Sequence, residues 1–133
     1  MKVKPAWQQT SGAFNAASQA AAWIRKISAD GAVLWTRRDV PANNSGGDLA
    51  VDHQGSVYFL GSSYDAVAGV STPWLRKYDD AGNQLWEKRI GEAAWGYAAG
   101  IDDGDNLYIL WNKYDEFSSS FREVRLSKYC TRC

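Results

Sequence analysis

The residue types that do chemistry fall into three groups in this chain. Cys130 and Cys133 bracket Thr131 and Arg132 at the end of the sequence. Two thiolates at this spacing suit a zinc knuckle, but a structural zinc takes four ligands, and the single histidine, His53, is remote in sequence. A redox pair with this spacing normally opens a helix, and nothing around these cysteines reads as one. The run Asp102-Asp103-Gly104-Asp105-Asn106 is rich in oxygen ligands. It lacks the spaced ligand pattern and terminal bidentate Glu of a calcium loop, so it reads as a hairpin turn matching Asp52-His53-Gln54-Gly55. The acids Asp39, Glu92, Asp115, Glu116 and Glu123 could supply a carboxylate pair for glycoside hydrolysis, which needs about 5–10 Å across a cleft. No spacing pairs any two of them. A lone histidine in a turn offers no Ser-His-Asp logic, and no glycine-rich phosphate loop is present. The expectation is a protein with no catalytic residue, no metal and no cofactor.

Composition narrows the classes further. Fifteen Lys and Arg balance fifteen Asp and Glu, which argues against a nucleic-acid binder that works through a basic field. No stretch reaches the roughly 20 apolar residues of a membrane helix, and the first residues carry no apolar signal core. A soluble, cytoplasmic protein without a membrane partner is expected. Seven Trp and seven Tyr are many for 133 residues. Such rings fill the space between packed sheets, and at a wet edge they also stack on sugars.

The elements that must position these groups follow from an internal repeat. Trp23-Ile24-Arg25-Lys26-Ile27 returns as Trp74-Leu75-Arg76-Lys77-Tyr78, 51 residues later, and Gly31, Leu34 and Trp35 return as Gly82, Leu85 and Trp86. A partial third copy is Arg125-Leu126-Ser127-Lys128-Tyr129. Between these, Ala50-Val51-Asp52 and Val57-Tyr58-Phe59-Leu60 match Gly100-Ile101-Asp102 and Leu107-Tyr108-Ile109-Leu110 at an offset of 50. The missing residue falls in a loop, where length changes are tolerated. Each repeat reads as four short strands joined by Asp-, Asn- and Gly-bearing turns. Helical periodicity is weak, with one turn of helix expected in the alanine-rich stretch Ala16 to Trp23.

The wording of the repeat, WLRKYDDAGNQLWEKRIG followed by AAGIDDGDNLYIL, resembles the bacterial beta-propeller repeat of the SBBP type over about residues 23–129. The first copy departs from that pattern with Ile27-Ser28 in place of Tyr-Asp, and the second has Asp105-Asn106 in place of Gly-Asn. The resemblance implies an all-β fold of antiparallel four-stranded blades and implies no activity. Laid on it, one domain over 1–133 divides into a partial blade at 2–39, a full blade at 47–90 and a partial blade at 97–129. The strands fall at 2–10, 22–28 and 32–39 in the first, and at 97–102, 106–112 and 122–129 in the last, which lacks a fourth strand.

Two and a half blades would leave apolar faces and a strand edge open, and propellers usually close with four to eight. Completion by oligomerisation is expected, a homodimer first, with twenty strands pooled into a five-bladed ring. The expected function is non-catalytic binding or scaffolding, with protein or carbohydrate as ligand. A carbohydrate-active hydrolase or lyase with a site at a subunit interface is the alternative. The non-repeated loops Val40 to Gly47, Gly61 to Pro73, Gly91 to Gly96 and Asn112 to Phe121 share one propeller face, where ligands collect. Asn43, Asn44, Glu92 and Trp95 are the candidate ligand-binding residues there. The tail and the truncated blade count also resemble a reading frame running into recombination-site DNA, as in integron gene cassettes, which carries no biochemistry with it.

Overall fold

Asp52, Asp79 and Asp102 begin the same kind of turn and organise it in the same way. Asp52 Oδ1 accepts the Gln54 and Ser56 amides at 3.0 and 2.9 Å, and Asp102 Oδ1 accepts those of Gly104 and Asn106 at 2.9 and 2.8 Å. Asp79 takes the Asn83 amide at 2.8 Å. The chain reverses through the left-handed region at Gly55 and Gly82, with φ of 82° and 86°, where glycine carries no steric cost.

The computed structural model describes residues 6–14, 20–38, 44–114 and 121–131, and every regular element among them is a β-strand. The strands are β1 (Ala6–Phe14), β2 (Ala20–Ile27), β3 (Val33–Arg38), β4 (Asn44–Val51), β5 (Val57–Asp65), β6 (Val70–Tyr78), β7 (Gln84–Arg89), β8 (Ala94–Ile101), β9 (Asn106–Tyr114) and β10 (Phe121–Cys130). All pairings are antiparallel, in three sheets of order β1-β2-β3, β4-β5-β6-β7 and β10-β9-β8. We call these sheets I, II and III. None closes on itself.

Where the strands differ from expectation, the causes are local. β1 is described over 6–14 and so runs past the expected end at residue 10, with a register shift between Thr10 and Ala13; residues 2–5 of the expected strand lie outside the described residues. The helical turn expected at Ala16 to Trp23 is not formed by its described part: Ala20 to Trp23 belong to β2, and residues 15–19 lie outside the described residues. Ala21 and Ala22 are buried in the stack, so packing overrides the local helix propensity of alanine.

Sheet II lies between the other two. Along β5 the apolar run is buried at every position, and its alternate side chains serve two cores. Val57 and Phe59 join Trp74 and Tyr78 of β6 against Ala22 and Ile24 of sheet I. Tyr58 and Leu60 join Leu75 against Leu107, Ile109 and Trp111 of sheet III. Period-two alternation makes this inevitable for a strand covered on both faces. Fully burying one such side chain is worth about 1.5–3 kcal/mol.

Two close approaches set the spacing. The inner strands β4 and β8 meet where a Cβ on Gly47 would come within 3.1 Å of the Gly96 carbonyl, and both strands bulge at this matched position. Within sheet II, Gly61 stands opposite Trp74, and a Cβ there would fall 2.2 Å from the indole and 2.6 Å from the Ser45 carbonyl. In sheet III the same pair of positions is inverted. Trp111 replaces the glycine, Arg125 replaces the tryptophan, and the guanidinium lies 5.3 Å from the ring centroid.

Two outcomes follow. Gly61→Ala should lower unfolding free energy by about 3 kcal/mol in a urea titration, because neither the Trp74 ring nor backbone can yield. The Asp102 carboxyl is held below its ordinary value by the Asn106 amide and then the Asn106 side chain, and Asp79 is held down by Asn83. Depressed carboxyls stabilise above their unfolded pKa and lose that effect as pH falls through the lower folded value. Thermal melts of Asp102→Ala should therefore fall below wild type at pH 7 and converge with it toward pH 2.

Candidate functional site

At one end of sheet II the β5–β6 hairpin and the β7–β8 loop open a cleft of about 340 Å³. Its floor is Trp74, whose ring packs edge-on to Phe59 with centroids 5.2 Å apart and interplanar angle 79°. Arg76 covers the other side of the indole, its guanidinium carbon 3.9 Å from the ring centroid, and its Nε donates to Glu87 Oε2 at 2.6 Å. The walls carry hydroxyls from Ser63 and Thr72, the ring of Tyr64, and the charges of Asp65, Glu87, Arg89 and Glu92. Three carboxylates and one arginine line it, so the lining is net acidic.

Two features mark this end of the sheet as unlike ordinary core. The Trp74 indole N–H is buried and has no acceptor among the described residues. Leaving such a donor unmade costs about 1–3 kcal/mol, so it is retained against a penalty. The neighbouring Ala93 adopts φ of 49°, a left-handed conformation that a residue with a Cβ takes at a cost.

Glu92, singled out by its loop, lines the cleft. Asn44 begins β4 and accepts the hydroxyl of Ser63, a cleft residue, without lining the cleft itself. Trp95 lies on β8 opposite Asn112 of sheet III, away from the cleft lining. Asn43 lies outside the described residues, as do Asp39, Asp115 and Glu116. Cys130 is disulfide-bonded and ends β10 opposite Asn106, so it belongs to a strand; Cys133 is outside the described residues. The cleft positions of Trp74, Glu87 and Arg89 were not apparent in the sequence, because all three repeat or sit within strands.

A second cluster joins two turns. Asp105 stands where the first repeat has Gly55, and it keeps the glycine conformation with φ of 58°. Its carboxylate is buried, accepts the His53 amide at 3.2 Å and lies 2.6 Å from His53 Nδ1. The Thr131 hydroxyl donates to the Asp105 carbonyl. An aspartate at a glycine position is the one sequence sign of this link. The histidine of sheet II is thereby tied to the turn of sheet III, and the strain at Asp105 is offset by hydrogen bonds between sheets.

Comparison with known proteins adds little chemistry. No family model and no curated protein matches this sequence. Among solved structures, a protein of unknown function from Bacteroides caccae aligns over 90% of this chain at 10% identity with a TM-score of 0.33. This chain spans 61% of that protein's length.

The Asp105 link has a measurable signature. Asp105→Ala keeps the left-handed strain and loses the acceptor, so it should destabilise by about 1–3 kcal/mol in chemical denaturation. Asp105→Gly loses the same acceptor but relieves the strain, and should be the milder of the two by about 1 kcal/mol.

Proposed function

We propose that this chain is a non-catalytic binding protein built from successive propeller-like blades, with the sheet II cleft as its binding site for a neutral, hydroxyl-rich ligand of the carbohydrate class. The observation that carries the reading is the make-up of the cleft, in which the Trp74 and Tyr64 rings stand among hydroxyls, three carboxylates and one arginine. Tyr64 adds an exposed ring of the kind that stacks on sugar C–H faces, and the Ser63, Thr72, Arg89 and Glu92 side chains offer donors and acceptors around it. The net-acidic lining disfavours an anionic ligand. The blade reading draws support from the repeat in sequence and from the face-to-face stacking of three sheets.

One observation favours a second reading. Asp65, Glu87 and Glu92 bring carboxylates into one cleft, as a glycoside hydrolase requires. Against this use, Glu87 is already held in an ion pair by Arg76.

Saturation-transfer NMR with cello-, chito-, malto- and xylo-oligosaccharides separates these readings. Binding predicts transfer to at least one series, quenching of tryptophan fluorescence, and loss of both in Arg89→Ala and Glu92→Ala, with the sugar recovered intact. Shortening of the oligosaccharide over hours that Glu92→Gln abolishes would establish the hydrolase instead. No transfer to any series would overturn the carbohydrate assignment.

A further inference from the structure

The stack uses one kind of interface twice. In each use the forward face of one sheet covers the rear face of the next, and matched positions of the repeat do the same work. Leu75 on the forward face of sheet II is 1% exposed beneath sheet III, and its counterpart Ile24 on sheet I is 0% exposed beneath sheet II. Their counterpart on sheet III is Leu126, 68% exposed. Leu110, the counterpart of fully buried Leu60, is 36% exposed beside it, and Leu110 and Leu126 stand opposite each other in register. Val124 extends the patch at 69% exposed. Sheet III therefore presents outward the same face that sheet II buries.

The other end of the stack carries the complementary half. Trp23, Arg25 and Ile27 on the rear face of sheet I match Trp74, Arg76 and Tyr78, which sheet I covers on sheet II. Arg25 lies over the Trp23 ring at 5.2 Å, as Arg76 lies over Trp74. One chain thus holds both halves of its own internal interface, unmated among the described residues.

Polar contacts fix the register of that interface. Lys26 on the forward face of sheet I reaches into the β6–β7 turn of sheet II, binding the Asp80 carboxylate and its carbonyl, the latter at 3.3 Å. Trp35 Nε1 donates to the same carbonyl at 3.1 Å, and Arg37 Nε donates to the Gly82 carbonyl at 2.6 Å. Lys128 is the counterpart of Lys26 on sheet III and is exposed over Tyr108, 5.5 Å from the ring centroid. The turn that corresponds to β6–β7 on sheet I is Ser28 to Ala32. There Ala29 stands in the place of Asp80 and the next residue, Asp30, is exposed and acidic.

We infer that the forward face of sheet III docks on the rear face of sheet I of a second copy of this chain, with Lys128 meeting the Ala29 carbonyl and Asp30 carboxylate of that copy. Head-to-tail contacts of this kind close into rings when the rotation allows. The described residues of one chain form three sheets, below the four to eight that close a propeller. Two copies contribute six, within that range, and three copies overshoot it. Two copies joined at both ends in this way form a twofold ring of six sheets. The inference rests on reading the sheets as blades and is independent of the ligand of the sheet II cleft.

Size-exclusion chromatography with light scattering on the chain and three variants tests it. Wild type is expected at twice the 14.8 kDa chain mass. Leu126→Asp should raise the dimer dissociation constant about a hundredfold and run as a monomer. Lys128→Glu and Asp30→Lys should each raise it about tenfold, and the double variant should restore it. Circular dichroism confirms that the variants fold, and if Leu126→Asp does not, the charge pair carries the test alone. A monomeric wild type, a dimer indifferent to these changes, or a dimer sensitive to Lys128→Glu but not to Asp30→Lys would overturn the proposal. The last result would point to pairing of two third sheets face to face. Oligosaccharide titration of the monomeric variant reads the cleft separately, so failure of either assignment is visible without the other.

Discussion

The two-sided burial of sheet II is the constraint on which the rest of this structure depends. β5 carries apolar side chains at four successive positions, Val57 to Leu60, and successive side chains of a strand point to opposite faces. Such a strand has no stable place except between two layers. Sheet I satisfies one face with Ala22 and Ile24, and sheet III satisfies the other with Leu107 and Ile109. The flanking sheets then inherit the problem in weaker form. Each buries one face and leaves its other, built from the same repeat, toward the outside.

Departures from the repeat occur where the sheets acquire individual properties. Gly61 and Trp74 in sheet II become Trp111 and Arg125 in sheet III, so the large ring passes from one strand of the pair to the other. The pair gains an arginine side chain in place of a glycine, and the exposed Arg125 carries that volume outward while the chemistry at the sheet end changes. In sheet II the indole lies under the hairpin with its N–H unmet; in sheet III the Trp111 N–H donates to Ser127 Oγ at 3.0 Å. The cleft belongs to the copy whose indole is unsatisfied. Asp105 is a departure of another kind, a side chain placed on a glycine backbone so that it can reach His53 of the neighbouring sheet.

Much of the strand plan was legible because a repeat reveals strand register twice over. Trp23 to Ile27 and Trp74 to Tyr78 mark the same strand, and the aspartate turns mark where hairpins reverse. The alanines before Trp23 misled, because helix propensity is a local quantity and the space beneath sheet II admits small side chains in any conformation that packs. Glu92 could be singled out by its variable loop, whereas Trp74, Arg76 and Glu87 could not. Their repeated or strand positions read as scaffold, and only the stacking angle between hairpin and loop turns that scaffold into a wall. Trp95 shows the converse. Its loop position drew attention, but the pleat of β8 places it on sheet III opposite Asn112.

A stack generated by one repeated interface must end in two unlike faces that fit each other, whatever else the sequence encodes. Here those ends carry different amounts of protection. The rear face of sheet I is guarded by Arg25, which folds over Trp23 and donates to Thr36 Oγ1 at 3.1 Å. On sheet III, Val124 and Leu126 stand exposed on β10 with the charge of Arg125 turned to the other side, toward Trp111. Isolated exposed leucines are ordinary on protein surfaces, but Leu110 and Leu126 form an exposed cross-strand pair at the positions that are buried core in sheet II. The asymmetry also limits promiscuity. Under the docking inferred above, an apolar face that pairs with a tryptophan–arginine stack and an acidic turn in register rejects flat hydrophobic partners that offer neither.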